Sequence, residues 1–118
     1  MYNKRKITKY QKIVLALLAR ELSLQPSSLE MNYRILADKK EKHYQLVAYG
    51  WENFKGKKMY LYQVLLHFYL TEAAILEILV NKTELPLEIE LPKLGISLSE
   101  LRPLFIVPEE RGVVGYAS

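Results

Sequence analysis

The chain has 118 residues and no cysteine. That single absence removes disulfides, thiolate zinc sites and cysteine nucleophiles together. Histidine is nearly as scarce: only His43 and His67 are present, too few for a histidine-rich metal cage. Asp38 is the sole aspartate and lies in a lysine-rich stretch, where solvent is its natural surrounding. A Ser-His-Asp triad would have to use it or put a glutamate in its place. No GxGxxG, phosphate-binding loop, GxSxG or HExxH motif occurs. Long uncharged runs are missing too. The longest covers residues 59–71, short of the ~20 residues a bilayer span needs. Extending it to Val80 brings in Glu72 and Glu77, which are costly in hydrocarbon. The basic start, Lys4-Arg5-Lys6, precedes a short patterned apolar stretch that fits a helix better than a leader. These gaps name no catalytic residue, metal site or cofactor. They lead us to expect a soluble, cytoplasmic protein that is not an enzyme and makes no membrane contact.

What is present is a core. Half the residues are apolar, which excludes a disordered chain, and the length suits one domain over residues 1–118. The net charge of +4 is modest, but its distribution is lopsided. Residues 1–58 hold 13 Lys+Arg and 5 Asp+Glu, while residues 59–118 hold 4 and 8, so the halves carry +8 and −4. The basic residues fall in two clusters: Lys4, Arg5, Lys6, Lys9 and Lys12, then Lys39, Lys40 and Lys42 with Lys55, Lys57 and Lys58. Either half can serve as a binding surface for an oppositely charged partner, although charged residues also simply solvate helix faces and loops.

Residues 6–23 repeat apolar side chains at helical spacing: Ile7, Tyr10, Val14, Leu17, Leu18 and Leu22. Pro26 and Ser27-Ser28 end that helix. Period two follows, with Leu29, Met31, Tyr33 and Ile35 alternating with Glu30, Asn32 and Arg34, a half-buried strand. A polar turn at 37–42 leads to a second strand at 43–51, and the glycine-bearing loop 52–58 suits a hairpin connection. Pattern alone leaves 59–80 open between one long helix and two strands. Thr83 is a plausible N-cap for a short helix limited by Pro92 and stopped by Gly95. Residues 104–107 read as a final strand, 108–112 as a loop.

Individual side chains carry two readings each. Trp51 suits an interface hot spot or a core position. Tyr44, Tyr49, Tyr60, Tyr62 and Tyr69 beside lysines suit base stacking, or ordinary packing of strand tyrosines. His67 in an apolar stretch suits a ligand, or a histidine whose ring nitrogens are satisfied locally.

One segment goes further. His43-Tyr44-Gln45-Leu46-Val47-Ala48-Tyr49-Gly50-Trp51-Glu52 resembles the HYQL…GW(D/E) signature of the XisI-like proteins, the fdxN element excision controlling factors of cyanobacteria. Leu66-His67-Phe68 stands where that family has an I-H-I strand core, and Thr83-Glu84 and Gly95-Ile96 stand at its short helix. Pro108, Arg111 and Gly115-Tyr116-Ala117 match its ending. The chain departs from the pattern at Leu70-Thr71-Glu72-Ala73, where the family has a D-G turn, and at Phe105-Ile106-Val107-Pro108-Glu109, which lacks the family's histidine.

The resemblance implies an α+β fold: an N-terminal helix, an antiparallel four-stranded meander, a short helix and a final strand. It resolves 59–80 into strands. Simple alternation then places Met59, Leu61 and Leu65 on one face, with Tyr60, Tyr62, Val64 and Phe68 on the other. One helix covers one face, so the second face is expected to meet a partner or a second copy in a homodimer. The candidate interaction surface comprises Trp51, Tyr60, Tyr62, His67, Lys55, Lys57, Lys58 and Arg111. Function by resemblance is accessory control of site-specific DNA excision. The chain would bind an XisH-like partner of nuclease fold and meet DNA indirectly through a recombinase complex. Two alternatives stand beside it: a neutralising subunit whose acidic stretch 72–110 mimics nucleic acid, and direct DNA binding through Lys4–Lys12 and Lys39–Lys58.

Overall fold

The structure is a computed structural model and describes residues 3–26 and 30–118. Helix α1 runs Lys4–Ser23, opened by Asn3, whose side chain accepts the Lys6 N–H at 3.0 Å. Its stripe is as the spacing predicts: Ile7, Tyr10, Val14, Leu17 and Leu18 are buried, and Leu22 is half-buried. At the helix end the Leu24 N–H donates to the Glu21 carbonyl and the Gln25 N–H to the Leu22 carbonyl, and Pro26 prevents continuation. The Ser27-Ser28 pair expected to end the helix with Pro26, and the strand start at Leu29, lie outside the described residues.

The sheet contains β1 (Met31–Asp38), β2 (His43–Phe54), β3 (Lys57–Leu70), β4 (Leu76–Asn81) and β5 (Leu101–Pro103), in that spatial order. The first four are an antiparallel meander, and β5 lies parallel to β4. Helix α2 (Leu87–Leu94) and a 3₁₀ turn at Leu98–Glu100 form the crossover between β4 and β5. Helix α3 (Pro108–Val114) follows β5. Residues 59–80 are therefore two strands, as the family resemblance implies. The tight β3–β4 connection forms without Asp-Gly: Ala74 takes φ 60°, and the Thr71 hydroxyl accepts the Ile75 N–H at 3.1 Å.

Two local expectations are corrected. Residues 104–107 are not the final strand. β5 ends at Pro103, and the next residues turn to deliver Val107 as the N-cap of α3, a helix where the sequence pattern suggests a loop. Pro108 at its first position has no N–H to leave unsatisfied, and Gly115 (φ 105°) closes it. Thr83 does not cap α2. It braces the loop before it, donating to Asn81 and accepting the Leu85 N–H at 3.2 Å, while Pro86 takes the cap position.

The third correction decides the faces. Val47 pairs with Val64 while Leu46 pairs with Leu66, so Leu65 is an extra residue bulged from β3. Alternation therefore reverses at Leu65. Phe68 leaves Tyr60, Tyr62 and Val64 and joins Leu66 and Leu70 opposite Tyr44 and Leu46, on the face that α1 covers. Phe68, Leu66, Leu70, Tyr44 and Leu46 are all fully buried there, with Leu76 and Ile78 of β4 and Leu87, Leu91 and Ile96 around α2 completing the core.

Gly50 packs closely against the backbone at the start of β1. It has φ 145°, and a Cβ added to it would lie 2.0 Å from the Glu30 carbonyl oxygen. The Trp51 N–H donates to that same oxygen at 3.0 Å. Because the obstacle is backbone, no side-chain rotation can relieve it. Gly50→Ala is expected to destabilise the fold by about 2 kcal/mol or more, since backbone strain alone reaches ~1–3 kcal/mol. Chemical denaturation checks this, and a midpoint equal to the parent's would show that β1 tolerates displacement.

Candidate interaction surfaces

The face opposite α1 carries no helix among the described residues. Its side chains alternate with the buried set: Asn32, Arg34, Leu36 and Asp38 on β1, then His43, Gln45, Val47, Tyr49 and Trp51 on β2. Opposite these on β3 stand Tyr60, Tyr62, Val64, His67 and Tyr69. Nearly all the aromatic rings here meet across β2 and β3. Trp51 meets Tyr60 edge-on at 5.6 Å, Tyr49 stacks on Tyr62 at 6.4 Å, and His43 stacks on Tyr69 at 4.6 Å and tilts against His67 at 5.1 Å. Such cross-strand pairs stiffen a sheet face. Val47 is buried between the two groups, but Trp51, Tyr60 and Tyr62 remain about half exposed, at 49, 55 and 60 %.

Those three residues sit on the outer part of a long ribbon. β2 and β3 continue to Phe54 and Lys57, and only Lys55-Gly56 make the turn, both with positive φ (50° and 80°), the geometry of a type I′ hairpin. Most of the expected loop 52–58 is therefore strand. Lys55 and Lys57 lie at the tip, and Lys58 is ion-paired with Glu30.

His43 Nδ1 and His67 Nε2 are 2.9 Å apart, so one imidazole donates to the other. His67 is half-buried, and burial together with the neighbouring His43 holds its pKa below the ordinary value. Among the described residues no third Asp, Glu, Cys or His joins the pair to make a metal-binding group.

Arg111 does not belong to this surface. It is 8 % exposed, its Nε donates to the carbonyls of Pro103 (3.0 Å) and Ile106 (2.8 Å), and its head reaches Leu104. It clamps the turn between β5 and α3. The second basic cluster also divides. Lys39, Lys40 and Lys42 occupy the β1–β2 turn, while Lys55, Lys57 and Lys58 lie at the far end of β2. Twelve strand residues separate the groups by about 40 Å.

Sequence reasoning missed Glu100. It accepts the Tyr10 hydroxyl and the Ser97 hydroxyl (2.8 Å) and pairs with Lys6, pinning the start of α1 to the 3₁₀ turn. Burial pushes its carboxyl up, but the hydrogen bonds from Lys6, Tyr10 and Ser97 outweigh this and hold it below the ordinary value. Burial, reinforced by Glu100, pushes the Tyr10 hydroxyl well up. The helical spacing that marked Tyr10 as core gave no signal for a partner ninety residues away.

The molecule is thus a two-layer α+β domain with helices on one face of the sheet and an aromatic array on the other, and no described helix is long and apolar enough to cross a membrane. Residues 4–118 match the family model described as XisI protein, and the chain belongs to that family. A XisI-like protein from Anabaena variabilis ATCC 29413 shares the fold. It is 22 % identical, with 94 % of this chain and 97 % of that one covered and a TM-score of 0.83. The fdxN element excision controlling factor XisI from the same organism is 20 % identical, with 95 % and 97 % covered and a TM-score of 0.77. No curated protein matches the chain.

The lowered His67 pKa fixes a pH dependence. A neutral histidine is preferred in the folded state, so its contribution to stability is whole above the unfolded value of about 6.5. It is lost as pH falls below that value, because the unfolded chain takes the proton first. Urea midpoints should drop between pH 7.5 and 5.5, and His67→Gln should flatten that drop. An equal drop in the variant would remove His67 as its source.

Proposed function

We propose that this chain is a cytoplasmic control factor for site-specific excision of a DNA element, acting by holding a XisH-like partner of nuclease fold on the open face of its sheet. The observation that carries this reading is the face itself. Trp51, Tyr60 and Tyr62 stand half exposed on a paired ribbon, and their neighbours on the face are Tyr49, Val64 and Val47. The charges on the face are Arg34, Asp38 and Lys58 on β1 and the ribbon and the Glu77–Arg102 ion pair on β4 and β5, and none lies between the exposed rings. Enriched Trp and Tyr with charge excluded from the centre is the composition of a protein interface core. A nucleic-acid platform would need more cations among the rings. One of the fold relatives is an excision controlling factor, which supports the context.

The neutralising alternative draws less support. Of the acids in 72–110, Glu77, Glu90 and Glu100 are paired with Arg102, Arg20 and Lys6. The others, Glu72, Glu84, Glu88, Glu109 and Glu110, are spread over a turn, a loop and two helices. They do not form the contiguous row that mimicry of a nucleic-acid backbone requires.

The competing occupant of the open face is a second copy of this chain. Co-purification with the XisH-like protein, alongside light scattering of this chain alone, separates the two. We expect association at micromolar concentration, weakened about 30-fold or more by Trp51→Ala with Tyr62→Ala, the loss typical of hot-spot aromatics. The double variant should stay folded, with a melting temperature lowered only by the loss of the two cross-strand ring pairs. A parent dimer that the double variant splits, with no partner bound, would reassign the face to self-association. Partner binding unaffected by the double variant would move the interface elsewhere.

A further inference from the structure

The partner reading leaves unused a strongly charged surface on the layer opposite the aromatic face. Lys4, Arg5, Thr8, Lys9 and Lys12 project from the N-terminal half of α1 and, with Ile13 and Leu94, line an open groove of about 560 Å³. Arg5, Lys9 and Lys12 recur at i, i+4 and i+7, so they share one side of the helix, and the row from Lys4 to Lys12 extends about 12 Å along its axis. Among the described residues none of these four cations is ion-paired; Glu100, the acid nearest the helix start, is taken by Lys6. The groove also lies beside the end of α2. A Cβ at Gly95 would meet Lys9 Cε at 3.5 Å, an ordinary contact distance, which places the Lys9 stem against the end of α2.

Two physical penalties accompany this arrangement. A helix N-terminus carries partial positive charge and is stabilised by acids, yet the first turn of α1 holds Lys4, Arg5 and Lys6 and no acid. Arg5 with Lys9, and Lys9 with Lys12, are like-charge neighbours at helical spacing and repel. Solvation alone gives no reason to concentrate cations where the backbone already repels them. An anionic ligand relieves both penalties at once.

We propose that this row is a docking site for the phosphate backbone of duplex DNA. The row is linear, free of acids, and borders a groove too open to enclose an individual side chain. Each strand of duplex DNA presents one phosphate per ~3.4 Å of axis, so a 12 Å row lying along one strand passes about three to four phosphates, close to one for each of the four cations. An acidic protein segment must hold four carboxylates in register without intervening cations to do the same. Contacts of this kind position a protein on a duplex and carry no sequence information. The site is independent of the open-face reading, and the chain would have one face for a protein and one for DNA.

The test is fluorescence anisotropy with a labelled 20-base-pair duplex of arbitrary sequence, read from 50 to 200 mM salt. Affinity should fall with a log–log slope of about −3 to −4, as release of counterions from four phosphates requires. Changing Lys4, Arg5, Lys9 and Lys12 to glutamine should reduce affinity at low salt at least tenfold and flatten the slope. The same variant should melt no lower than the parent, because repulsion is removed. The Trp51→Ala/Tyr62→Ala variant should bind the duplex as the parent does, so failure of one surface is distinguishable from failure of the other. The proposal is overturned if the parent retains no duplex at 50 mM salt. It is also overturned if Lys55→Gln, Lys57→Gln and Lys58→Gln abolish binding while the helix variant does not. Polyglutamate outcompeting the duplex at equal charge concentration would assign the row to an acidic protein instead.

Discussion

The pairing of β2 with β3, broken by one extra residue, governs the rest of the molecule. Before Leu65 the odd-numbered positions of β3 lie on the helix side of the sheet; after it the even-numbered ones do. Without the bulge, Tyr60, Tyr62 and Val64 would share a face with Leu66, Phe68 and Leu70. The strand would then offer α1 a continuous apolar stripe far longer than one helix can cover, and would contribute only His67 and Tyr69 as rings to the other face. The reversal matches supply to demand. The buried set ends where α1 ends its cover, and the aromatic set continues on the open side toward the hairpin tip. A bulge also increases local twist, which suits a ribbon that leaves the body of the sheet. The length of that ribbon is reflected in a molecule 52 Å long and only 29 and 24 Å across.

Much of the architecture was legible because it follows from local periodicity. The α1 stripe and the β1 and β2 alternation need only the chain's own spacing, and the ends of α3 at Pro108 and Gly115 obey local helix-end rules even though the segment between them carries the pattern of a loop. The bulge was not legible. A one-residue slip leaves hydrophobicity unchanged and alters only which neighbours share a face, so alternation placed Phe68 with Tyr60 and Tyr62. β5 is three residues long and includes Pro103, too short for any period to register. Of the proposed surface residues, Trp51, Tyr60, Tyr62 and His67 do share one face, with Lys58 at its edge and Lys55 and Lys57 at the ribbon tip. Arg111 was misplaced because its composition is that of a surface cation. Its role comes from three carbonyls that only the turn at 103–106 brings together.

The structure also changes what the polarised charge means. Read along the chain, +8 and −4 suggest two opposed ends. In space the acidic half is partly neutralised by the basic half: Lys6 with Glu100, Arg20 with Glu90. These pairs tie α1 to the crossover segment that follows β4, so part of the asymmetry serves to hold the helix layer together. Surface pairs of this kind are individually weak. Their significance lies in which cations they leave over. Arg20, in the last turn of α1, both finds an acid and suits the helix's negative end. Lys4, Arg5, Lys9 and Lys12 do neither.

That contrast within one helix is the strongest reason to treat the two surfaces as different in kind. The aromatic face is locally consistent: its rings pair across strands, its central valines are at least half-buried, and among its rings only those of the outermost tier are exposed. Nothing there is strained, and a partner would add burial to a face already ordered. The cationic row is locally inconsistent, with charge set against the helix dipole and against itself. Sequences that agree with their fold at every level tend to break the agreement where function requires it. The network of Tyr10, Ser97 and Glu100 with Lys6 then reads as the compensation. It supplies from outside the helix the acid that the first turn lacks, and it anchors the helix start beneath a surface that would otherwise favour fraying.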